Sequence, residues 1–168
     1  MKSVRLLVTV AVAAASIAGP ARAAPDTADE AAIHKALQGR CDGLKALDLK
    51  KAMAGYRTDL HVFDMAPPSQ RNYTEMNEVA KQFITEAVAP PSCGFHELYI
   101  KVYGDNAYAR YIFPLKVQLK NGTTIVVVGR GTDIFERTAG KWLIVHEHFS
   151  LPVDLVTGQA EMKPPTAP

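Results

Sequence analysis

Two histidines flank a glutamate near the end of the chain, in the segment KWLIVHEHF at residues 141–149. Imidazole and carboxylate groups can bind zinc or move protons near neutral pH. On an extended strand the side chains of His146 and His148 lie about 7 Å apart, which is close enough to share one ion. A zinc site needs a third protein ligand, however, and the other histidines stand on other segments without ligand-like spacing: His34, His61 and His96. The sequence therefore predicts no metal site.

The chemistry of this segment depends on which way its side chains point. Successive side chains of a strand point to opposite faces of the sheet. Strict alternation puts the histidines on one face and the glutamate on the other: Trp142, Ile144, His146, His148 and Ser150 against Leu143, Val145, Glu147 and Phe149. The fold must decide which of these two faces is the inner one.

The rest of the chain predicts helices first and strands afterwards. Residues 26–54 have helical spacing of apolar side chains, divided into two helices at Gly43 or Asp48, and the segment at 60–68 predicts a short strand. Residues 74–88 predict another helix, with Thr74 as its cap, and four strand patterns joined by turn signals follow. Because helices and hairpins occupy different parts of the chain, we predict an α+β fold. A strongly bent sheet with helices on its concave side would form a cone with an internal pocket.

The N-terminus has the pattern of a secretory signal peptide. The basic start MKSVR is followed by the apolar run LLVTVAVAAASIAG and by the small-x-small site Ala21-Arg22-Ala23. We predict cleavage after Ala23, with an uncleaved membrane anchor as the alternative. A domain at 24–152, a Pro-rich C-terminal tail at 153–168 and a periplasmic or secreted location follow. No stable membrane association is expected after processing.

Charge excludes one class of partner. The whole chain has 19 basic and 17 acidic side chains, and three of the basic ones lie in the predicted signal peptide: Lys2, Arg5 and Arg22. The processed chain would therefore be nearly neutral, and its basic residues do not cluster. Nucleic acid is a poor partner for such a surface, and we predict none.

Cys41 and Cys93 are the two cysteines of the chain. In an exported protein an even number of cysteines favours a disulfide bond. Two separate buried thiols are the alternative.

The order of elements, together with the closing segment GRGTDIFERTAGKWLIVHEHFSLP at residues 129–152, resembles the nuclear transport factor 2-like (NTF2-like) superfamily. Within it, residues 26–152 look most like SnoaL-like and ketosteroid-isomerase-like proteins, and more distantly like kinase association domains. The resemblance implies an α+β cone, in which a strongly bent, mainly antiparallel sheet and about three helices on its concave side enclose a pocket. The superfamily includes isomerases, cyclases, dehydratases and binding modules, so this fold is compatible with several functions.

The resemblance also implies site residues. Asp64 falls on the general-base aspartate of the isomerases, and Asp133 falls on a second aspartate that those enzymes keep protonated. Arg40 stands where they have the tyrosine of the oxyanion hole, and we expect this permanent cation to hold nearby carboxylates ionised. Glu147 would point inward and the two histidines outward. The implied pocket lining is Tyr111, Val145, Phe149 and Phe63 or Phe113.

Two functions are compatible with these residues. The first is an exported enzyme that binds a small, largely apolar carbonyl compound, on which Asp64 moves a proton while Asp133 and Arg40 stabilise the oxyanion. This chemistry needs no metal or organic cofactor. The second is a non-catalytic ligand-binding or association module of the same fold, in which Arg40 and a carboxylate form a bridge that only closes the cone.

The predicted outer face of the last strand suggests a homodimer. Trp142, Ile144, His146 and His148 would form an apolar strip with titratable ends, and a monomer would expose that strip to water. The resembled proteins commonly pair their sheets in this way, and two-fold symmetry then places the same strip on both partners.

Overall fold

The structure is a computed structural model that describes residues 27–161. The predicted signal peptide and the last seven residues of the predicted tail lie outside this range. The helices are α1 Thr27–Lys45, α2 Leu49–Met53 and α3 Tyr73–Glu86. The strands are β1 Tyr56–Phe63, β2 Gln70–Asn72, β3 Ser92–Cys93, β4 His96–Tyr103, β5 Asn106–Gln118, β6 Thr124–Thr138 and β7 Lys141–Ser150.

The break between α1 and α2 lies at Asp48, one of the two positions that the sequence predicts, whereas Gly43 lies inside α1. Asp48 is the N-cap of α2, and its carboxylate accepts a hydrogen bond from the backbone N–H of Lys51 at 3.0 Å. Gly43 lies where the backbone of Ala52 comes so close to α1 that a Cβ atom would overlap it. The lack of a side chain at Gly43 therefore lets α2 fold back against α1.

Helix α3 begins slightly earlier than the sequence predicts. Asn72, rather than Thr74, is its N-cap. Asn72 and Glu75 form a capping box, in which each side chain accepts a hydrogen bond from the backbone N–H of the other.

The seven strands form one curled sheet that does not close into a barrel. The order is β2-β1-β7-β6-β5-β3, and β4 pairs with β5 beside β3. All pairs are antiparallel except β1 with β7. Helix α1 contacts β3, β4 and β7, and α3 contacts β1. The α+β class, the three helices and the bent, mainly antiparallel sheet are thus confirmed.

A β-bulge in β7 changes the facing of its side chains. The register between β6 and β7 shifts by one residue, and the ladder skips Val145. An extra residue in one strand interrupts the alternation of side chains. As a result Ile144 and Glu147, an odd number of residues apart, are both fully buried on the inner side of the sheet.

The prediction that Trp142 and Ile144 lie on the outer face is therefore wrong. Trp142 is 5% exposed, and its indole N–H donates to the carboxylate of Asp29 on α1 at 3.1 Å. The guanidinium of Arg137 stacks on the same indole at 4.5 Å. Strict alternation fails because it assumes an unbroken strand, whereas the bulge separates these two residues from the histidines.

Phe63 also lies on the other face from the one predicted. Leu60 and Val62 are buried, so the alternation along β1 turns Phe63 outward, where it is 48% exposed. Its ring makes edge contacts with the imidazoles of His146 and His148, at centroid distances of 5.4 and 5.8 Å. Both histidines thus lie on the outer side, as the sequence predicts.

The predicted disulfide bond is confirmed. Cys41 of α1 is bonded to Cys93 of β3, with a Cα–Cα distance of 5.4 Å. The bond fixes the second half of α1 to the edge of the sheet.

The first part of the predicted tail has its own local structure. Val153 pairs with Ala160, and the carboxylate of Asp154 accepts hydrogen bonds from the backbone N–H groups of Val156 and Thr157. No helix within the described residues is long and apolar enough to cross a membrane.

Candidate functional site

Arg40 lies at the centre of a polar cluster on the inner face of the sheet. It comes from α1, next to the disulfide-bonded Cys41, and its side chain is only 7% exposed. Its Nη1 donates to Glu147 Oε1 at 2.8 Å and lies 3.5 Å from Asp133 Oδ2. Both carboxyl side chains are fully buried. A buried charge is stable only when it is paired, so the three groups depend on one another.

Two tyrosine hydroxyls complete the polar contacts. Arg40 Nη1 donates to the hydroxyl of Tyr56 at 3.0 Å, and Nη2 donates to the hydroxyl of Tyr111 at 2.7 Å. The Tyr111 hydroxyl in turn lies 2.9 and 3.0 Å from the two carboxyl oxygens of Asp133. We name Arg40, Tyr56, Tyr111, Asp133 and Glu147 the Arg40 cluster.

Gly131 makes room for one of these tyrosines. It pairs with Tyr111 across β5 and β6, and a Cβ atom at Gly131 would overlap the Tyr111 ring. The ring therefore lies flat over the glycine, and its hydroxyl reaches Asp133, two residues further along β6.

Four aromatic rings surround the guanidinium of Arg40. Its central carbon lies 5.4–5.6 Å from the ring centroids of Phe95, Tyr111, Phe113 and Phe149. The rings also contact one another, for example Phe113 and Phe149 at 5.3 Å. Aromatic faces attract cations, most strongly where water is excluded. We name these four rings the aromatic cage.

The cluster has two carboxyl groups for one cation. Burial raises the pKa of Asp133 to about 8, although the positive charge of Arg40 opposes the increase. Burial also raises the pKa of Glu147, again against Arg40. Glu147 makes the shorter contact with Arg40, so we assign the negative charge to Glu147 and the retained proton to Asp133. The expectation that Arg40 keeps its neighbours ionised is therefore wrong for Asp133, because the cost of burial exceeds the attraction of one shared cation.

The hydroxyl groups of the cluster remain protonated. Burial raises the pKa of Tyr56 and of Tyr111 well above the ordinary tyrosine value, and the charge of Arg40 only partly opposes this. Both hydroxyls therefore carry their protons at neutral pH and can donate a hydrogen bond there.

Two polar atoms of the cluster have no hydrogen-bond partner among residues 27–161. They are Arg40 Nε, which is a donor, and Glu147 Oε2, which is an acceptor. Buried polar groups are normally paired, and an unpaired one costs about 1–3 kcal/mol. These atoms are therefore the points at which a polar atom of a ligand or a water molecule could bind.

Asp64 lies beside the cluster and not within it. Its side chain is 12% exposed, and its oxygens accept hydrogen bonds from Arg71 Nε at 2.7 Å and from the backbone N–H of Ala66 at 3.1 Å. The negative charge of Asp64 nevertheless acts on Glu147. Burial is the largest cause that raises the pKa of Glu147, and the charge of Asp64 raises this pKa further. The structure thus brings Arg40, Asp133 and Glu147 into direct contact and places Asp64 at their edge.

The remaining predicted site residues divide between the two faces. Tyr111, Phe113 and Phe149 surround Arg40, whereas Phe63 lies on the outer face and Val145 is the half-buried extra residue of the bulge. A groove of about 430 Å³ on the outer side is lined by residues that include His61, Phe63 and His146. No group of three histidine, cysteine or acidic side chains within the described part of the chain is arranged to hold a metal ion.

Sequence reasoning missed two members of the site, Tyr56 and Phe95. Tyr56 is the first residue of β1, and Phe95 precedes β4, so neither lies within a long periodic pattern. The local signal for Tyr56 is weak, because three polar residues separate it from the apolar part of β1.

Comparison with known proteins agrees with this architecture. Residues 33–154 match the family described as the SnoaL-like domain. An NTF2-like protein of unknown function from Pseudomonas putida KT2440 superposes with a TM-score of 0.69 at 23% identity, covering 82% of this chain and 98% of that one. No curated protein sequence matches the chain.

Two further solved structures share the fold at lower identity. A proposed dehydratase of the NTF2-like family from Streptomyces avermitilis has a TM-score of 0.65 at 15% identity, covering 76% of this chain and 97% of that one. The association domain of C. elegans CaMKII has a TM-score of 0.59 at 16% identity, with coverages of 74% and 96%. These similarities establish the cone fold and leave its use open.

Proposed function

The chain belongs to the SnoaL-like domain family, and on that basis we propose that its cone binds a small, largely apolar carbonyl compound and moves a proton on it. One observation carries the proposal. Two buried carboxyl groups share one buried guanidinium, so the cluster retains a proton near neutral pH inside an aromatic cage. Groups whose pKa is shifted toward neutral pH are suited to proton transfer.

Each polar group has a role in this reaction. Asp64 takes a proton from the carbon next to the carbonyl group and returns it to another carbon of the same molecule, so that the compound is isomerised with no net gain or loss of atoms. The enolate oxygen that forms in between is stabilised by the unpaired N–H of Arg40 and by protonated Asp133. The position of Asp64 at the edge of the cluster and the apolar rings around Arg40 support this arrangement.

A panel of enones and lactones tests the proposal. If the wild type converts a member of the panel, Asp133→Asn should abolish this activity. Asp64→Asn should reduce it at least about 100-fold, which is a typical size for acid–base catalysis. Asp105→Asn is the matched control, because Asp105 is 79% exposed and its carboxylate pairs with Arg137 at the surface. Native mass spectrometry of the purified protein would also identify any molecule that stays bound. Equal activity in all four proteins would refute the assigned roles.

The outer face of the sheet favours a second candidate, a homodimeric association module. Tyr108, Ile134 and His146 are register neighbours on β5, β6 and β7, and Arg110, Thr132 and His148 form the next row. Ile134 is 40% exposed and Phe63 beside the histidines is 48% exposed. Tyrosine, phenylalanine and arginine are the side chains that protein interfaces favour. We name the surface formed by Phe63, Tyr108, Ile134, His146 and His148 the outer aromatic face.

We propose a second copy of the chain as the partner of the outer aromatic face. Light scattering should show a dimer for the wild type and a monomer for Ile134→Glu. Val126→Glu is the matched control, because Val126 is 48% exposed on the same strand but lies eight residues away. A wild-type monomer at micromolar concentration, or dissociation by the control substitution as well, would contradict this interface.

A further inference from the structure

The side chains around the guanidinium of Arg40 form a binding site for a group of that shape and charge. The groups that contact its guanidinium come from four strands and one loop: Tyr56, Phe95, Tyr111, Phe113, Asp133, Glu147 and Phe149. We propose that this part of the cone is a site for a planar guanidinium-type cation and that Arg40 occupies it as a built-in ligand.

The contacts match a guanidinium group specifically. Nη1 donates to two oxygens, of Tyr56 and Glu147, and Nη2 donates to the hydroxyl of Tyr111. These donors diverge in one plane, while aromatic rings lie within 5.6 Å of the central carbon. An ammonium group is a compact, strongly hydrated point charge and cannot offer this planar set of donors. The site would therefore select a delocalised planar cation over an amine.

The carboxyl groups add selectivity for charge. Glu147 has no other cation within contact in the described residues, and Asp133 has only the same one. Without the guanidinium, burial would keep both carboxyl groups protonated, because a buried carboxyl group takes up a proton when it has no cation to pair with. A cation that enters the site would let Glu147 ionise and would restore the ion pair, whereas a neutral molecule of the same shape would form no such pair.

The guanidinium of Arg40 is attached to the rest of the protein only through the aliphatic part of its own side chain. The backbone of Arg40 belongs to α1, which the Cys41–Cys93 bond holds against β3. Truncation to alanine removes six non-hydrogen atoms and leaves the helix anchored. Ethylguanidinium has the same six atoms in the same order, and N-ethylurea is its neutral counterpart of nearly equal shape.

Thermal unfolding of Arg40→Ala with each compound at low millimolar concentration is the test. We expect ethylguanidinium to raise Tm in a saturable manner, by about 3–6 °C at tenfold excess over half-saturation. We expect N-ethylurea and ethylammonium to produce no comparable increase. The wild type should not respond, because Arg40 already fills the site.

Arg137→Ala is the matched control for the variant. Arg137 also stacks on an aromatic ring and pairs with two carboxylates, but its side chain is 32% exposed. Ethylguanidinium should not raise the Tm of Arg137→Ala. An equal response of Arg137→Ala or of the wild type, or equal stabilisation of Arg40→Ala by N-ethylurea, would overturn the proposal.

A second measurement covers the case in which Arg40→Ala does not fold unaided. The variant is refolded from denaturant by dilution into ethylguanidinium or into N-ethylurea, and the yield of folded protein is measured. A higher yield with the cation supports the site, and equal yields, including none in either, overturn it. Neither measurement involves a carbonyl compound or turnover, so its failure is distinguishable from failure of the proposed function.

Discussion

Replacing Asp133 with asparagine should change how the stability of the protein depends on pH. In the folded protein, burial raises the pKa of Asp133 from 3.8 to about 8. Between these two values the unfolded chain has lost the proton of Asp133 and the folded chain has kept it. Folding then takes up a proton, so the free energy of unfolding falls as the pH rises from about 4 to about 8.

The magnitude follows from the number of protons involved. One proton corresponds to about 1.4 kcal/mol per pH unit, which over four units gives an upper limit of about 6 kcal/mol. Asp133 is 0% exposed, so screening by solvent does not reduce this upper limit. The electrostatic interaction of Asp133 with Glu147 does reduce it. Asp29 and Asp59 do not contribute in this window, because hydrogen bonds with Arg137 and Arg57 respectively lower their pKa values. Their stabilisation is lost only when the pH falls below about 4.

Urea unfolding at half-unit steps from pH 5 to pH 9 is the assay. The free energy of unfolding of the wild type, plotted against pH, should fall more steeply than that of Asp133→Asn by up to about 1.4 kcal/mol per unit. This difference should be halved near pH 8 and should be nearly gone at about pH 9. The comparison uses slopes, so a constant effect of the substitution on stability does not matter. Parallel profiles over the whole range would refute the assignment of a proton to Asp133.

Four other predictions follow from the fold. Replacing Cys41 and Cys93 together by serine should lower the free energy of unfolding by about 4 kcal/mol in urea, given the sequence separation of 52 residues; an unchanged midpoint would contradict this. Gly131→Ala should cost about 1–3 kcal/mol in the same assay, because its Cβ atom would overlap a buried ring. Trp142→Ala should cost about 3–5 kcal/mol and leave the mass in light scattering unchanged; dissociation without destabilisation would place the indole in the interface instead. The intact mass of the exported protein should correspond to cleavage after Ala23, and a mass that includes residues 1–23 would refute the signal peptide.

The sequence predicts the fold well because the fold depends on patterns that repeat. The boundary between α1 and α2 follows from a capping aspartate, Asp48. The strands β4 to β7 follow from alternating apolar residues between turn signals. The disulfide is favoured by the even number of cysteines in a chain with a predicted signal peptide.

The facing of individual side chains is less predictable, because one inserted residue reverses it. The bulge at Val145 has no glycine or proline to mark it, and it moves Trp142 and Ile144 from the predicted outer face to the core. Phe63 was misplaced for a related reason. The parity of β1 is set by Leu60 and Val62, and a single apolar residue next to an aspartate does not reveal which side is inner.

The composition of the site depends on contacts between distant segments. Arg40 and Glu147 are 107 residues apart in the chain, and Tyr111 reaches the same guanidinium from β5. Residue types alone suggested that Arg40 would keep its neighbours ionised. The opposite result for Asp133 follows from complete burial, which no local pattern encodes.

The most direct test of the proposed site is a measurement of the proton on Asp133. Protein labelled with ¹³C at the aspartate carboxyl carbons is titrated by NMR from pH 4 to pH 10, and the signal missing from Asp133→Asn identifies the residue. We predict that this signal stays at the protonated position at neutral pH and titrates near pH 8. Titration near pH 4, as in an exposed aspartate, would mean that the cluster retains no proton on Asp133 and would contradict the proposed proton-transfer site.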